Sequence, residues 1–243
     1  MNFTDFEWSG FKGLEFEFDG KKALLVKPNV KPNGKFMIKT EYFDSFPELE
    51  IEMLNRGYHL SYIENDNRWA EPKDVNRKAE FIKFVSENFG LDKKCLPVGL
   101  SCGGLYAVKL AAVCPDRICA LYLDAPVMNL LSVVGQFGNA RKDPFLQTEY
   151  IKATSRSLVE LLSYREHPID KMHICLENDI PIVLVVGDSD VAVPYVENSK
   201  LLVDYYNANS GKITVFIKPN CGHHPHGLEN PKELADAIEK YIK

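Results

Sequence analysis

Apolar and polar residues alternate near the start of the chain, where Leu14, Phe16 and Phe18 are separated by single glutamates. This two-residue period is that of a half-buried strand. An Asp-Gly pair follows and favours a tight turn, and residues 22–26 then return as a second apolar run. The pattern predicts an antiparallel hairpin at the beginning of the fold.

Further along the chain, short apolar runs alternate with segments of helical period. The predicted strands cover residues 35–39, 58–63, 95–100, 118–123, 180–186 and 212–218, and the predicted helices cover 44–55, 74–88, 105–114, 196–207 and 231–242. Such alternation is typical of a mostly parallel central sheet with helices on both faces. The segment at about 127–178 breaks the alternation and is mostly helical in composition. We therefore predict one α/β domain over residues 1–243, with a modest helical, lid-like insertion at 127–178.

Composition and charge narrow the classes of partner. A hydrophobic fraction of 45% is enough for a sizeable core, and a formal net charge of −5 gives no reason to expect a nucleic-acid partner. The sequence contains no apolar stretch long enough for a membrane span and no basic, then apolar, leader at its start. We expect a cytoplasmic protein whose partner is a small molecule, with no membrane association; the oligomeric state stays open.

Cysteine and glycine spacing exclude several kinds of site. None of the six cysteines forms a Cys-x-x-Cys pair, so zinc-ribbon and thioredoxin-type sites are not expected. Neither a G-x-G-x-x-G nor a P-loop sequence is present. The sequence therefore predicts no cofactor.

The strongest local motif is G-x-S-x-G at residues 99–103, between a predicted strand and a predicted helix. A sharp strand-to-helix turn exposes a serine hydroxyl, and the glycines remove side chains that would clash there. Ser101 is the predicted nucleophile. The backbone N–H of Cys102 is a predicted oxyanion donor, since it lies at a helix N-terminus. Cys102 itself is interpreted as a backbone contributor rather than a catalytic thiol.

A carboxylate is expected after the apolar strand at 180–186, and two aspartates compete for the role. Asp190 lies further into the loop and has room to turn back over the site, whereas Asp188 is nearer the strand and suits a turn. A carboxylate at this place can accept the Nδ1–H of a catalytic imidazole. We favour Asp190, with Asp188 as the alternative.

Three of the six histidines follow the last predicted strand. His223 is the predicted general base, because the order serine, acid, histidine is that of a hydrolase sheet. His226 is the rival base and otherwise a candidate substrate-binding residue, and His224 is assigned to packing or substrate binding. No metal is expected, since no cysteine or carboxylate stands at a customary ligand spacing.

The loop after the third predicted strand should supply a second oxyanion donor. Its residues 39–43 point to the backbone N–H of Glu41, with Tyr42 as the alternative. Tyr42 and Trp69 are also candidate substrate-binding residues, because aromatic rings can stack on a sugar face.

These three ordered motifs resemble those of the α/β-hydrolase family along nearly the full chain. The segments 39–43, 99–106 and 222–226 also resemble a bacterial subgroup of small hydrolases, often found with carbohydrate-degrading genes and described as esterases. The resemblance implies an α/β-hydrolase fold and a serine esterase acting on carbohydrate or aryl esters. This sequence lacks the His-Gly pair that is common after the third strand of such hydrolases.

Cleavage of a short-chain carboxylic ester through an acyl-enzyme is the leading hypothesis for the function. A small peptidase or a thioesterase on the same three residues is the alternative enzyme. A non-catalytic binding protein of the same fold is the alternative of another class, and the presence of all three residues speaks against it.

Overall fold

A computed structural model describes residues 2–242 of the chain. The strands are β1 (Thr4–Trp8), β2 (Phe11–Phe18), β3 (Lys21–Val26), β4 (Phe36–Lys39), β5 (His59–Ile63), β6 (Leu96–Leu100), β7 (Leu121–Asp124), β8 (Ile182–Gly187) and β9 (Ile213–Lys218). The helices are α1 (Glu48–Asn55), α2 (Pro72–Phe89), α3 (Cys102–Val113), α4 (Leu130–Val133), α5 (Pro144–Thr154), α6 (Leu158–Leu161), α7 (Pro168–Glu177), α8 (Ser199–Ala208) and α9 (Pro231–Ile242).

The nine strands within residues 2–242 form a single sheet in the order β1-β2-β3-β5-β4-β6-β7-β8-β9. The pairs β1–β2, β2–β3 and β3–β5 are antiparallel, and every pair from β5 to β9 is parallel. The predicted hairpin is β2–β3, with Leu14 opposite Leu25. The predicted fold class, a mostly parallel sheet with helices on both faces, is confirmed.

Strand β1 was not predicted from the sequence. None of its five residues is buried, so its side chains give no strong apolar period, and its backbone is held by pairing with β2. Because of this extra strand, the loop at residues 40–43 follows the fourth strand rather than the third.

The core lies on both faces of the sheet, as strand β8 illustrates. All of its residues are buried. Ile182, Leu184 and Val186 pack in the cluster that includes α2, α3 and α8, whereas Val183 and Val185 pack in the cluster that includes α1 and α9. A strand that is covered on both sides has no polar face, so its sequence is a continuous apolar run.

Two kinds of helix occupy the segment predicted as an insertion. Helix α7 packs against α3, and its Cys175 belongs to the core of the sheet, so α7 is the crossover helix between β7 and β8. The shorter α4 and α6 belong to a separate cluster with Trp69, Tyr106 and Tyr150. Within residues 2–242, no helix has the length and apolarity needed to cross a bilayer.

Candidate active site

Ser101 lies in a sharp turn between β6 and α3. Its backbone angles, φ 51° and ψ −117°, are rare for a residue with a side chain. The turn requires glycine at two nearby positions. A Cβ atom on Gly99 would lie 2.7 Å from the carbonyl oxygen of Gly103, and one on Gly104 would lie 2.7 Å from the Cα of Pro126. Strand β6 and helix α3 can therefore approach closely enough to present the serine hydroxyl.

His223, in the loop after β9, joins Ser101 to Asp190. Its Nε2 lies 3.0 Å from the Ser101 Oγ, and its Nδ1 lies 2.7 Å from the Asp190 Oδ2. The other carboxylate oxygen of Asp190 accepts the N–H groups of Ala192 and Val193, each at 2.8 Å. Asp190 is thus fixed in place, and the arrangement can move a proton from Ser101 to an imidazole that is held in one orientation.

Asp188 has a different environment. Its Oδ1 accepts hydrogen bonds from the Ser189 hydroxyl and the Asn220 N–H, both at 2.8 Å. The side chain is exposed and ties two loops together, as a turn-forming aspartate does. The structure brings Asp190, and not Asp188, to His223.

The loop after β4 lies beside the nucleophile turn. Thr40 donates its hydroxyl to the carbonyl oxygen of Gly103 at 2.7 Å, and Glu41 N lies 3.6 Å from the position that a Cβ atom on Gly103 would take. The N–H groups of Cys102 and Glu41 have no backbone acceptor within residues 2–242. Both are therefore available to a negatively charged oxygen near Ser101. Thr40, which the sequence did not single out, holds the two parts together.

The environments of the Glu41 and Cys102 side chains do not make them reactive. Burial raises the pKa of Glu41, whose carboxylate is hydrogen-bonded to Asn65. Burial also raises the pKa of the Cys102 thiol to about 11. A thiol that stays protonated at neutral pH is a poor nucleophile, which agrees with the interpretation of Cys102 as a backbone contributor.

His226 forms a second imidazole–carboxylate pair, which the sequence did not predict. Its Nδ1 lies 2.7 Å from the Asp124 Oδ1 at the end of β7. Asp124 is 2% exposed and also accepts the N–H of Gly227 at 2.6 Å and the hydroxyl of Tyr122 at 3.0 Å. A carboxylate at the end of a buried strand was the available signal, but no sequence rule pairs it with a histidine about a hundred residues away.

His224 completes a cluster of three imidazoles. Its ring stacks on Phe46 with centroids 5.5 Å apart, and burial together with the neighbouring imidazoles lowers its pKa. One ring nitrogen from each of His223, His224 and His226 lies within 4.8 Å of the other two. The three histidines could therefore hold a metal ion, although their spacing in the sequence did not suggest one.

A cavity of about 350 Å³ opens over Ser101. Apolar and charged side chains line it together with Ser101, Cys102 and the three histidines; among them are Tyr42, Phe46, Arg68, Val127, Val133, Arg141, Asp143, Leu146 and Val193. Tyr42 lies where a substrate-binding residue is expected. The two arginines were missed, because nothing local in the sequence places them at the site.

Trp69 does not line this cavity, and its candidate role in substrate binding is wrong. The side chain is completely buried and packs edge-on against Tyr150 at 5.2 Å. It belongs to the cluster beneath the short helices α4 and α6. A ring with no exposed face cannot stack on a substrate.

Solved structures resemble the whole chain. A puromycin hydrolase aligns over 98% of this chain and 37% of its own, at 15% identity and a TM-score of 0.68. The Pyrococcus horikoshii acylaminoacyl peptidase aligns over 99% and 40%, at 13% identity and a TM-score of 0.66. An α/β hydrolase from the metagenome of lagoon sediments at Mar Chica, Morocco, aligns over 93% and 96%, at 17% identity and a TM-score of 0.56.

The chain has the α/β-hydrolase fold. No family model and no curated protein matches the sequence. The chain spans less than half the length of the puromycin hydrolase and of the acylaminoacyl peptidase. At these identities the likeness to the α/β-hydrolases concerns the fold, and the resemblance to a carbohydrate-associated esterase subgroup stays a prediction.

Proposed function

We propose that the protein is a serine hydrolase that cleaves short-chain carboxylic esters through an acyl-enzyme. The observation that carries the proposal is the continuous hydrogen-bonded chain from the Asp190 carboxylate through both nitrogens of His223 to the Ser101 hydroxyl, with distances of 2.7 and 3.0 Å. Placed on this fold, such a chain is the arrangement that activates a serine for acyl transfer.

Each proton and bond in the reaction has a place. His223 takes the proton of Ser101 as its Oγ attacks the ester carbonyl, and the N–H groups of Cys102 and Glu41 stabilise the oxyanion that forms. The tetrahedral intermediate then expels the alcohol, which receives the proton from His223. Water, deprotonated by His223, then attacks the carbonyl carbon of the acyl-enzyme. The second tetrahedral intermediate expels the Ser101 Oγ, which takes the proton back from His223, and the acid is released.

The proposed substrate is small and partly polar. The cavity of about 350 Å³ is near the lower end of the range for ligand pockets, about 300–1,000 Å³. Valines and a leucine line it, but so do Arg68, Arg141 and Asp143. A long acyl chain would need a broad apolar surface, so this lining favours acetyl to butyryl esters. Tyr42 and Phe46 also line the cavity and offer aromatic rings for contact with a carbohydrate or aryl alcohol.

A peptidase is the second candidate, and the named activity of one structural neighbour, an acylaminoacyl peptidase, favours it. A thioesterase would use the same three residues. A non-catalytic binder has no need for the aligned hydrogen bonds of Ser101, His223 and Asp190.

Rates on a graded set of substrates test the proposal. kcat/KM should be measured for p-nitrophenyl esters with acyl chains from two to twelve carbons, beside a small peptide anilide and a thioester. We expect the maximum between two and four carbons, with Ser101→Ala inactive on every substrate. A maximum at eight carbons or more would contradict the short-acyl claim. Turnover of the anilide with none of the esters would establish the peptidase.

A further inference from the structure

Three imidazoles within a four-residue stretch are more than an acyl-transfer site requires. His223 alone bridges the nucleophile and the Asp190 carboxylate. His224 and His226 add two rings whose centroids lie 4.8 Å and 5.1 Å from that of His223 and 4.9 Å from each other. One ring nitrogen from each histidine belongs to a single cluster, and the proposed reaction uses only one of the three histidines.

Several hydrogen bonds hold the second imidazole–carboxylate pair, His226 with Asp124, in place. Asp124 is nearly fully buried, and burying a carboxylate is costly unless donors surround it. Three donors do so: the His226 ring, the Gly227 N–H and the Tyr122 hydroxyl. These contacts fix the orientation of the His226 ring and leave its Nε2 without a hydrogen-bond partner among residues 2–242. His226 also lines the cavity over Ser101.

His223 and His226 therefore share one arrangement: Nδ1 lies against a buried carboxylate, which leaves Nε2 for another partner, and both residues line the cavity over Ser101. Histidines that bind metal ions commonly donate their other ring N–H to a carboxylate in this way, which orients the ring and makes it a better ligand. Asp190 and Asp124, 6% and 2% exposed, provide the two carboxylates. His224 is exposed as a residue, and its ring already contacts the other two.

We infer that His223, His224 and His226 form a binding site for a divalent transition-metal ion of the zinc class, and that an ion bound there inhibits the enzyme. Neutral imidazoles suit Zn²⁺, Cu²⁺ and Ni²⁺, whereas Ca²⁺ and Mg²⁺ require oxygen ligands. Nitrogens held about 2.1 Å from a tetrahedral zinc are about 3.4 Å apart, so the three ligand nitrogens, which lie within 4.8 Å of one another, must move closer together when the ion binds.

Inhibition follows from the atom that the ion takes. The Nε2 of His223 accepts the Ser101 proton in the proposed reaction and lies 3.0 Å from the Ser101 Oγ. An ion on this nitrogen replaces that hydrogen bond, and Ser101 loses its base. The inhibitory effect rests on the proposed function, but the binding itself does not.

Calorimetric titration with zinc chloride tests the binding without any need for activity. The protein with Ser101→Ala should bind one zinc ion per chain. In that background, His226→Gln and His224→Ala should each weaken binding by at least about tenfold. Asp124→Asn, which keeps all three imidazoles, should weaken it by about 10- to 100-fold. His173→Ala, which removes an exposed histidine on α7, is the matched control and should bind like the Ser101→Ala parent. Circular dichroism checks that each variant is folded.

Absence of zinc binding, or equal affinity in the folded His226→Gln variant and the His173→Ala control, would overturn the site. With the catalytically competent protein, zinc should abolish ester hydrolysis and a chelator should restore it. Failure of hydrolysis under all conditions would contradict the proposed function and leave the calorimetric result valid. A chelator that lowers the rate of the purified enzyme, with zinc restoring it, would overturn inhibition, because the ion would then be required.

Discussion

Asp188 and Asp190 follow the same strand two positions apart, but they meet different partners. Asp190 is buried against His223 and two backbone N–H groups, whereas Asp188 is exposed and joins its own loop to Asn220. An asparagine in place of a catalytic aspartate keeps the shape and favours the wrong imidazole tautomer.

We expect Asp190→Asn to lower kcat by about four orders of magnitude, as the loss of this carboxylate does in serine proteases. Asp188→Asn is the matched control, since the same substitution two residues away leaves the His223 contacts intact. Steady-state ester hydrolysis, with thermal unfolding of both variants, separates catalysis from stability. A larger loss of kcat in Asp188→Asn would transfer the role to Asp188.

The local sequence predicts whether a residue lies in a turn, a strand or a helix. It does not predict which residues far along the chain that residue contacts. The motif around Ser101 and the histidines after β9 could be identified from the sequence. The residue types of a turn and the order of the motifs along the chain are both visible there. The burial of Trp69 against Tyr150 and the contact of Asp124 with His226 depend on segments 81 and 102 residues apart in the chain. An aromatic residue looks the same in sequence whether it lines a cavity or fills a core.

At the scale of elements, helix α3 begins earlier than its sequence suggested. The helical period is clear from Leu105, but the helix starts at Cys102. Glycine has a low helix propensity, so Gly103 and Gly104 conceal the first turn. Because these two residues have no side chains, the start of α3 can pack against Thr40 and Pro126.

Gly104→Ala should therefore be destabilising, although alanine favours helices. A Cβ atom there would lie 2.7 Å from the Cα of Pro126, and such overpacking costs about 1–3 kcal/mol. Gly222→Ala is the control, because a Cβ atom there meets nothing within 4 Å. Urea unfolding should show a loss of stability for Gly104→Ala alone, and equal stability of the two variants would contradict the tight contact.

Helix α2 contains a fully buried lysine. Lys78 donates to the carbonyl oxygen of Ile63 at 2.9 Å, and burial lowers the pKa of its amine from 10.5 to about 7. Between these two pH values, the unfolded chain holds a proton that the folded protein has lost. The free energy of unfolding therefore rises as the pH increases from about 7 to 10.5. This contribution of Lys78 to stability is lost as the pH falls towards 7.

Lys78→Met removes the pH-dependent contribution of the Lys78 amine to the free energy of unfolding. The stability of the natural protein minus that of the variant should increase between pH 7.5 and 9.5, with a slope of up to about 1.4 kcal/mol per pH unit. Urea unfolding of both proteins at several pH values gives this difference, in which other titrating groups cancel. A difference that does not change with pH would show that the amine keeps its proton.

For the whole molecule, the class of fold was predictable and the order of the strands was not. Alternation of apolar strands and helices predicted a mostly parallel sheet, and the predicted hairpin is present as β2–β3. The position of β4 between β5 and β6 cannot be predicted from the local pattern, since all three strands are short and mostly buried. The same holds for α7, which joins the main core, while α4 and α6 pack in a cluster of their own.

The site depends on this whole-molecule arrangement. Ser101 follows β6, Asp190 follows β8 and His223 follows β9, and these parallel strands all end at one edge of the sheet. Ligands of such sheets bind at the carboxyl ends of the strands. Three loops from distant parts of the sequence thereby become one site.

The central claim, that Ser101 is an activated nucleophile, is tested most directly by labelling the purified protein with a fluorophosphonate probe. We expect one label per chain, located on Ser101 by peptide mass spectrometry. Labelling should be absent in Ser101→Ala. It should be retained in Cys102→Ala, because burial raises the pKa of the Cys102 thiol to about 11 and makes that thiol a poor nucleophile at neutral pH. A folded natural protein that takes up no label, or a label that persists in Ser101→Ala, would contradict the serine mechanism.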